Sequence, residues 1–427
     1  MKKINLSTPD KAFDKFLIWF DFKKRLAFLV TFIMGFITHI NMITDYLMSQ
    51  DGLWNSIQYF KPGDWEITLG RWGIVLTQRL NNFIAIPSIT TISCILVMSI
   101  ISVIVIDLFE LKNKLSIIFT SALLAVSPVF TVTLLYIYTS LSYTMCMLFS
   151  VLVVWSIYKI KKRKLGYILA CVFFILTMSI YQSYIGICIG LYLMMSIIKL
   201  IKKEITLKNC IFSIFKIVII AIISGITYLL LTKIILIALG LELSDYKLAN
   251  QISIKGIVLN LKSSILLAYK DFIAFFIRDR IIYNTNYRRD IFYIVFFVST
   301  VLITGRKILK NDYIEKKEKI LNLICITLLA LCLPIALNII DLLIVGNDTY
   351  ALTASQLILV IPFCLSLIEE VEDLRILKWI SCISIIFVIG TYFIADFASY
   401  TAIKLTYNQA YSTTERILER IENTPRL

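Results

Sequence analysis

A chain of 427 residues that is 59% hydrophobic, with a mean hydropathy of +0.84, is too apolar to be a water-soluble domain. Its 43 Lys and Arg against 28 Asp and Glu leave a formal charge of +15, which in a soluble protein would suggest a nucleic-acid partner. Here the bases gather in connections between apolar runs, so the partner they indicate is a lipid bilayer and not nucleic acid.

Runs of about 20 apolar residues without alternating polarity predict membrane-crossing helices, because in lipid the backbone is satisfied only in helices or closed barrels. In chain order they fall near 26–43, 84–107, 115–135, 140–158, 165–181, 184–199, 210–237, 291–305, 320–340, 354–368 and 379–397. The predicted fold is an all-α polytopic bundle of about eleven spans forming a single integral membrane domain over 1–427. Lys2, Lys3, Lys11, Lys15, Lys23, Lys24 and Arg25 precede the first run, and the basic connections 159–164, 199–208 and 305–319 share its side. Connections 136–139, 182–183 and 341–353 contain neither Lys nor Arg. The amino terminus is therefore expected in the cytoplasm and the carboxy terminus outside.

The outer connection 44–83 stands apart. Its 44–72 portion gathers Asp45, Asp51, Asp64 and Glu66 with Trp54, Tyr59, Phe60, Trp65 and Trp72, and Arg71 stands at the approach to the second run. An interfacial aromatic belt with solvated acids accounts for this composition. A sugar-processing site accounts for it as well, since aromatic faces stack on pyranose rings and a carboxylate takes a hydroxyl proton. Tyr181 and Gln182 lie in a very short outer turn, where they satisfy backbone groups or line a pocket.

The outer connection 241–290 carries Lys247, Lys255, Lys262, Lys270, Arg278, Arg280, Arg288 and Arg289 against five acids. Ile254, Ile257, Val258, Leu261, Ile265 and Leu266 recur near helical spacing, which suggests interfacial helices. Arg278, Arg280, Arg288 and Arg289 offer either a generic headgroup contact or a forked grip on a lipid phosphate.

Asp107, Asp341 and Asp396 fall at span ends, where capping or snorkelling is expected, and no run has an acid at its centre. His39, the single histidine, is expected to pack. The nine cysteines are scattered without a CxxC pair, which indicates neither a disulfide framework nor a metal site. No metalloprotease, nucleophile-elbow or P-loop motif occurs. The polar tail 398–427 suggests a short outer helix capped by Ser412 or Thr413. No internal repeat is apparent, which disfavours transporters built from paired repeats.

"SQDGLW" (49–54), "LGRWGIVL" (69–76) and "SIYQSYIG" (179–186), in that order and followed by an outer tail, resemble the bacterial GtrII-type glucosyltransferase family. The resemblance implies a multi-pass plasma-membrane enzyme of GT-C-like architecture. Its donor would be a polyprenyl-phosphate-linked hexose, most simply glucose, and its acceptor a cell-surface glycan outside the membrane. It places an essential acid in the first outer loop, which is Asp51 or, nearer the membrane, Asp45. Arg71, with the 278–289 cluster, would hold the donor phosphate; Trp54, Trp65 and Trp72 would stack on sugar, and Tyr181 and Gln182 would orient hydroxyls. No redox cofactor is implied, and a divalent metal stays open. Two rival functions are a lipid-linked oligosaccharide flippase, for which charged residues within the spans are lacking, and a non-catalytic assembly protein.

Overall fold

The computed structural model describes residues 8–55, 61–246, 254–277, 287–309, 316–344, 349–369, 371 and 373–424. They contain helices and no strand: α1 (Pro9–Trp19), α2 (Phe22–Thr38), α3 (Ile40–Thr44), α4 (Gln50–Trp54), α5 (Asp64–Thr68), α6 (Gly73–Gln78), α7 (Pro87–Phe109), α8 (Lys114–Ala125), α9 (Pro128–Leu135) and α10 (Ser140–Lys159). There follow α11 (Arg163–Ile180), α12 (Ile185–Ile201), α13 (Leu207–Leu239), α14 (Ile254–Phe276), α15 (Tyr287–Leu309), α16 (Lys316–Leu337), α17 (Ile340–Leu343), α18 (Val360–Glu369) and α19 (Arg375–Glu422).

Nine helical segments among the described residues are long and apolar enough to cross a bilayer. They coincide with nine of the predicted runs. The other two fall short of that length for visible reasons. The first run is split at His39, whose backbone (φ −102°, ψ 20°) separates α2 from α3. The tenth forms only the short apolar stretch Leu357–Glu369.

The centre of the bundle is α7, packed by α2, α8 and α10, with α12 and α18 closing it from the side. The segment Lys114–Leu135 is the most enclosed of the nine. Around this centre, α13, α15 and α16 bury only about a quarter of their spans. α13 shows why: it buries one stripe, Cys210, Ile217, Ile220, Ser224, Tyr228, Thr232 and Leu236, and leaves Ile, Leu and Phe everywhere else. Its serine, threonine, tyrosine and cysteine positions in that stripe face the bundle, while large apolar residues such as Phe215, Ile219, Ile223 and Leu230 face outward, as on a lipid-facing helix.

One end of the bundle is pinned by charge. Lys24 Nζ lies 3.1 Å from Asp107, whose other oxygen accepts from Trp155 Nε1 at 2.9 Å. Glu110 binds Lys159 at 2.9 Å and Lys202 at 3.2 Å, and Glu369 accepts from the backbone of Lys112 and Asn113. Basic residues before α2 and in the connections after α10 and α12 thus converge on one end.

Three sequence expectations are corrected. Asp107 pairs with Lys24 and Trp155 and neither caps nor snorkels. Asp341 and Asp396 are buried, not placed at wet span ends, because α17 tucks under α14 and α19 presents Asp396 to the bundle. The tail is no separate short helix: α19 runs unbroken for 48 residues, with Ser412 and Thr413 in its interior. At 1.5 Å per residue it extends about 72 Å, more than twice the ~30 Å hydrocarbon core.

His39 packs as expected, edge-on to Phe130 at 5.2 Å. Its Nε2 donates to the Ala125 carbonyl at 2.9 Å, which leaves Nδ1 to accept from the Tyr400 hydroxyl at 2.7 Å.

Candidate active site

Local turn chemistry brings Arg71 inward. After α5 the chain must reverse before α6, and Gly70 does this at φ +74°. The turn closes with Gly70 N donating to Ile67 O at 2.9 Å and Arg71 N to Glu66 O at 2.8 Å. The reversed segment is stapled on both sides. Tyr228 on α13 donates to Gly70 O at 3.1 Å, and Gln182 Nε2 donates to Leu69 O at 3.0 Å and to the Tyr228 hydroxyl at 2.9 Å. Trp72 Nε1 donates to Thr232 at 3.1 Å, and Gly73 packs so closely on α11 that a Cβ there would strike Ser179. α6 is then tied to α10, with Thr77 donating to Ser142 at 2.8 Å.

Substitution of Gly70 tests this staple. A Cβ at position 70 would collide with the Tyr228 hydroxyl, and left-handed backbone costs a non-glycine residue roughly 1–2 kcal/mol. Gly70→Ala is expected to lower the thermal unfolding temperature of the detergent-solubilised protein by a few degrees. An unchanged melting curve would mean that the turn is not held as described.

So placed, the Arg71 guanidinium stacks over the Tyr181 ring at 4.8 Å. Tyr181 lies 4.9 Å from the ring of Tyr143, meets Tyr184 edge-on at 5.3 Å, and shares a 2.8 Å hydrogen bond with Tyr350. Among the described residues no carboxylate pairs with Arg71, and its buried Nε has no hydrogen-bond partner. A planar cation is thereby held in a wall of phenols with donor capacity to spare.

Asp51 lies exposed in the first turn of α4. Its helix is capped by Ser49, which accepts from Gly52 N, and Ser49 N donates to Leu135 O at 2.8 Å. Burial, together with the nearby Asp51 carboxylate, pushes the Tyr136 phenol up to about 12, and Tyr138 is raised by burial and by Tyr143 and Asp51. Tyr143 and Tyr350 act electrostatically on both Tyr136 and Arg71, so the same ring of phenols bears on each.

The other predicted residues are distributed differently. Asp45 does not join this ring; it pairs with Lys404 of α19 at 3.0 Å, and one turn further Tyr407 donates to Met48 O at 2.6 Å. Trp65 is exposed and meets Tyr246 edge-on at 5.5 Å. Trp72 spends its N–H on α13, and Gln182 spends its amide on the turn, so both hold Arg71 in place and do not project free donors. The side chains of Trp54 and Arg288, and all of Arg278 and Arg280, lie outside the described residues. Arg289 is fully buried, against Tyr293, Tyr392 and Asp290.

Sequence reasoning missed the phenols. Tyr136, Tyr138 and Tyr143 sit in and after a connection free of Lys and Arg, Tyr228 is the one tyrosine of its span, and Tyr350 lies in another such connection. Each is ordinary alone. Among the described residues no three His, Cys, Asp or Glu side chains converge as metal ligands.

No curated protein and no solved structure matches the chain. A family model described as Glucosyl transferase GtrII matches residues 55–365. The match starts just after Asp51 and takes in the stapled arginine, the phenol ring and the turn at Tyr181. With most of its length so matched, this membrane chain belongs to the GtrII glucosyl transferase family.

Proposed function

We propose that the chain transfers glucose from a polyprenyl-phosphate donor to a cell-surface glycan on the extracytoplasmic side of the bacterial plasma membrane. The observation that carries this reading is Arg71: a guanidinium stacked on Tyr181, without a carboxylate partner among the described residues. A half-buried cation of that kind is suited to an anion, and its fork fits phosphate oxygens. The acceptor hydroxyl oxygen attacks C1 of the glucosyl group as the C1–O bond to phosphate breaks. The hydroxyl proton passes to Asp51, and polyprenyl phosphate leaves with the added negative charge, which Arg71 stabilises. The phenols of Tyr136, Tyr138, Tyr143 and Tyr350 supply faces and hydroxyls for the sugar.

Purified protein is expected to move glucose from synthetic polyprenyl-phosphate glucose to a glycan acceptor, and not from a nucleotide sugar. Transfer from the nucleotide sugar alone would overturn the donor assignment. Movement of intact lipid-linked glycan across the bilayer without transfer would instead favour a flippase.

The membrane side has its own test. The lysine-rich end is read as cytoplasmic and the Arg71 end as outer. With the nine native cysteines replaced, a cysteine at exposed Lys61 is expected to react with an impermeant thiol reagent on intact cells, and one at exposed Lys162 only after lysis. The reverse pattern would invert the topology.

Asp45 is read as a strap between the acid-bearing loop and α19, not as the base. Asp45→Lys and Lys404→Asp are each expected to lower turnover several-fold, and the double exchange to restore most of it. Surface pairs contribute about 0–1 kcal/mol to stability, so protein level should hardly change. A base would not tolerate the exchange; an inactive double variant returns Asp45 to catalysis.

A further inference from the structure

α1 is an anomaly in this bundle. None of its eleven residues is buried, and Trp19, at its end, is where it meets another helix. Phe13, Phe16 and Leu17 are all exposed, with Phe13 at 59%. An eleven-residue helix without tertiary support is marginal in water, where nucleation outweighs the few hydrogen bonds gained. Something must cover it.

The spacing tells what. Phe13, Phe16, Leu17 and Phe20 stand at i, i+3, i+4 and i+7 and form one apolar stripe; Lys11 and Lys15 stand opposite. The stripe is already ordered by its own rings, with Phe13 to Phe16 at 6.4 Å and Phe16 to Phe20 at 5.4 Å, both stacked. It then continues without interruption into the span, since Phe20 meets Phe28 edge-on at 6.1 Å and Phe28 stacks on Phe32 at 6.3 Å. Beyond it α2 exposes Leu29, Ile33, Phe36 and Ile37, the outward-facing residues of a spanning helix. The apolar face of α1 is thus contiguous with surface that lipid must cover.

Its position is pinned at one end only. Trp19 meets Trp155 edge-on at 6.5 Å under the Lys24 ammonium, and Arg25 Nε donates to Phe20 O at 2.8 Å. These contacts set the junction at the charged end of the bundle, where Asp21 caps α2. Within α1 the charges cancel, Asp10 and Asp14 against Lys11 and Lys15, so attraction to anionic headgroups cannot be the main force.

We propose that α1 is an in-plane membrane anchor. It inserts Phe13, Phe16 and Leu17 into the headgroup–acyl boundary of the leaflet at the lysine-rich end, and keeps Lys11 and Lys15 in water. The occupant of its apolar face is the lipid surface, engaged chiefly through apolar burial.

The test uses the full chain, its native cysteines replaced, in bilayers of phosphatidylcholine alone or with phosphatidylglycerol. A polarity-sensitive fluorophore is attached at Phe16→Cys or at Lys15→Cys. The label at 16 is expected to be blue-shifted and quenched by brominated acyl chains in both lipid compositions and at high salt, and the label at 15 by aqueous iodide. Equal aqueous quenching at both sites overturns the proposal. So does a label at 16 that is shielded from water yet untouched by brominated lipid, because protein would then cover the stripe. As a second measure, Phe13→Ser with Phe16→Ser should raise amide exchange in 9–19 at least tenfold while α7 and α10 keep their protection. Unchanged exchange would show that the stripe does not hold the helix.

Discussion

Asp51→Asn is expected to lower the rate of transfer by about 10² to 10⁴, the range typical for loss of a positioned general base. Asparagine has nearly the same shape and keeps one acceptor oxygen, but it does not take up a proton. The local fold should survive, because α4 is held by the Ser49 cap and by Asn55 donating to the Asp51 backbone oxygen at 2.7 Å, neither of which uses the carboxylate. Donor binding should survive as well, so that turnover falls while the donor KM stays near that of the parent. Asp64→Asn is the control. Asp64 is an exposed acid in the first turn of α5, where its charge favours the helix amino terminus, and its loss should reduce activity by less than twofold. If Asp51→Asn transfers glucose at close to the parental rate, the proton goes elsewhere. Asp51 is then an exposed acid of α4 without a part in the transfer.

Arg71→Lys should cost about 10²-fold or more in kcat/KM, in the range seen on removing one donor from a charge-stabilising site. The substitution preserves formal charge, so a simple electrostatic anchor would tolerate it. Lysine has no planar fork to lie on Tyr181 at 4.8 Å while directing hydrogen bonds at phosphate oxygens. The backbone turn at Gly70 does not depend on the side chain, so membrane levels should be normal. Tyr181→Phe is the companion: it keeps the stacking ring and loses only the hydrogen bond to Tyr350, and should fall far less. Near-parental transfer by the lysine variant would remove Arg71 from phosphate binding.

The sequence alone determined that this is an all-α membrane bundle, and nine of its predicted runs are helices long enough to span. That much is local information: apolar length against bilayer thickness, and where the bases collect. It also placed Arg71, Tyr181 and Gln182 among the residues to watch, although not the reason each is there. Only the tertiary structure decided that Gln182 and Trp72 hold the turn while Arg71 is presented on a phenol, because their partners Tyr228 and Thr232 lie 46 and 160 residues further along the chain. It likewise placed Asp45 against Lys404, 359 residues away, a pairing that the sequence of the loop does not show. Asp396 and Asp341 were misread for the same reason. Burial of an acid at a span end depends on whether another helix covers it, and a single-chain hydropathy pattern has no record of which helix is its neighbour.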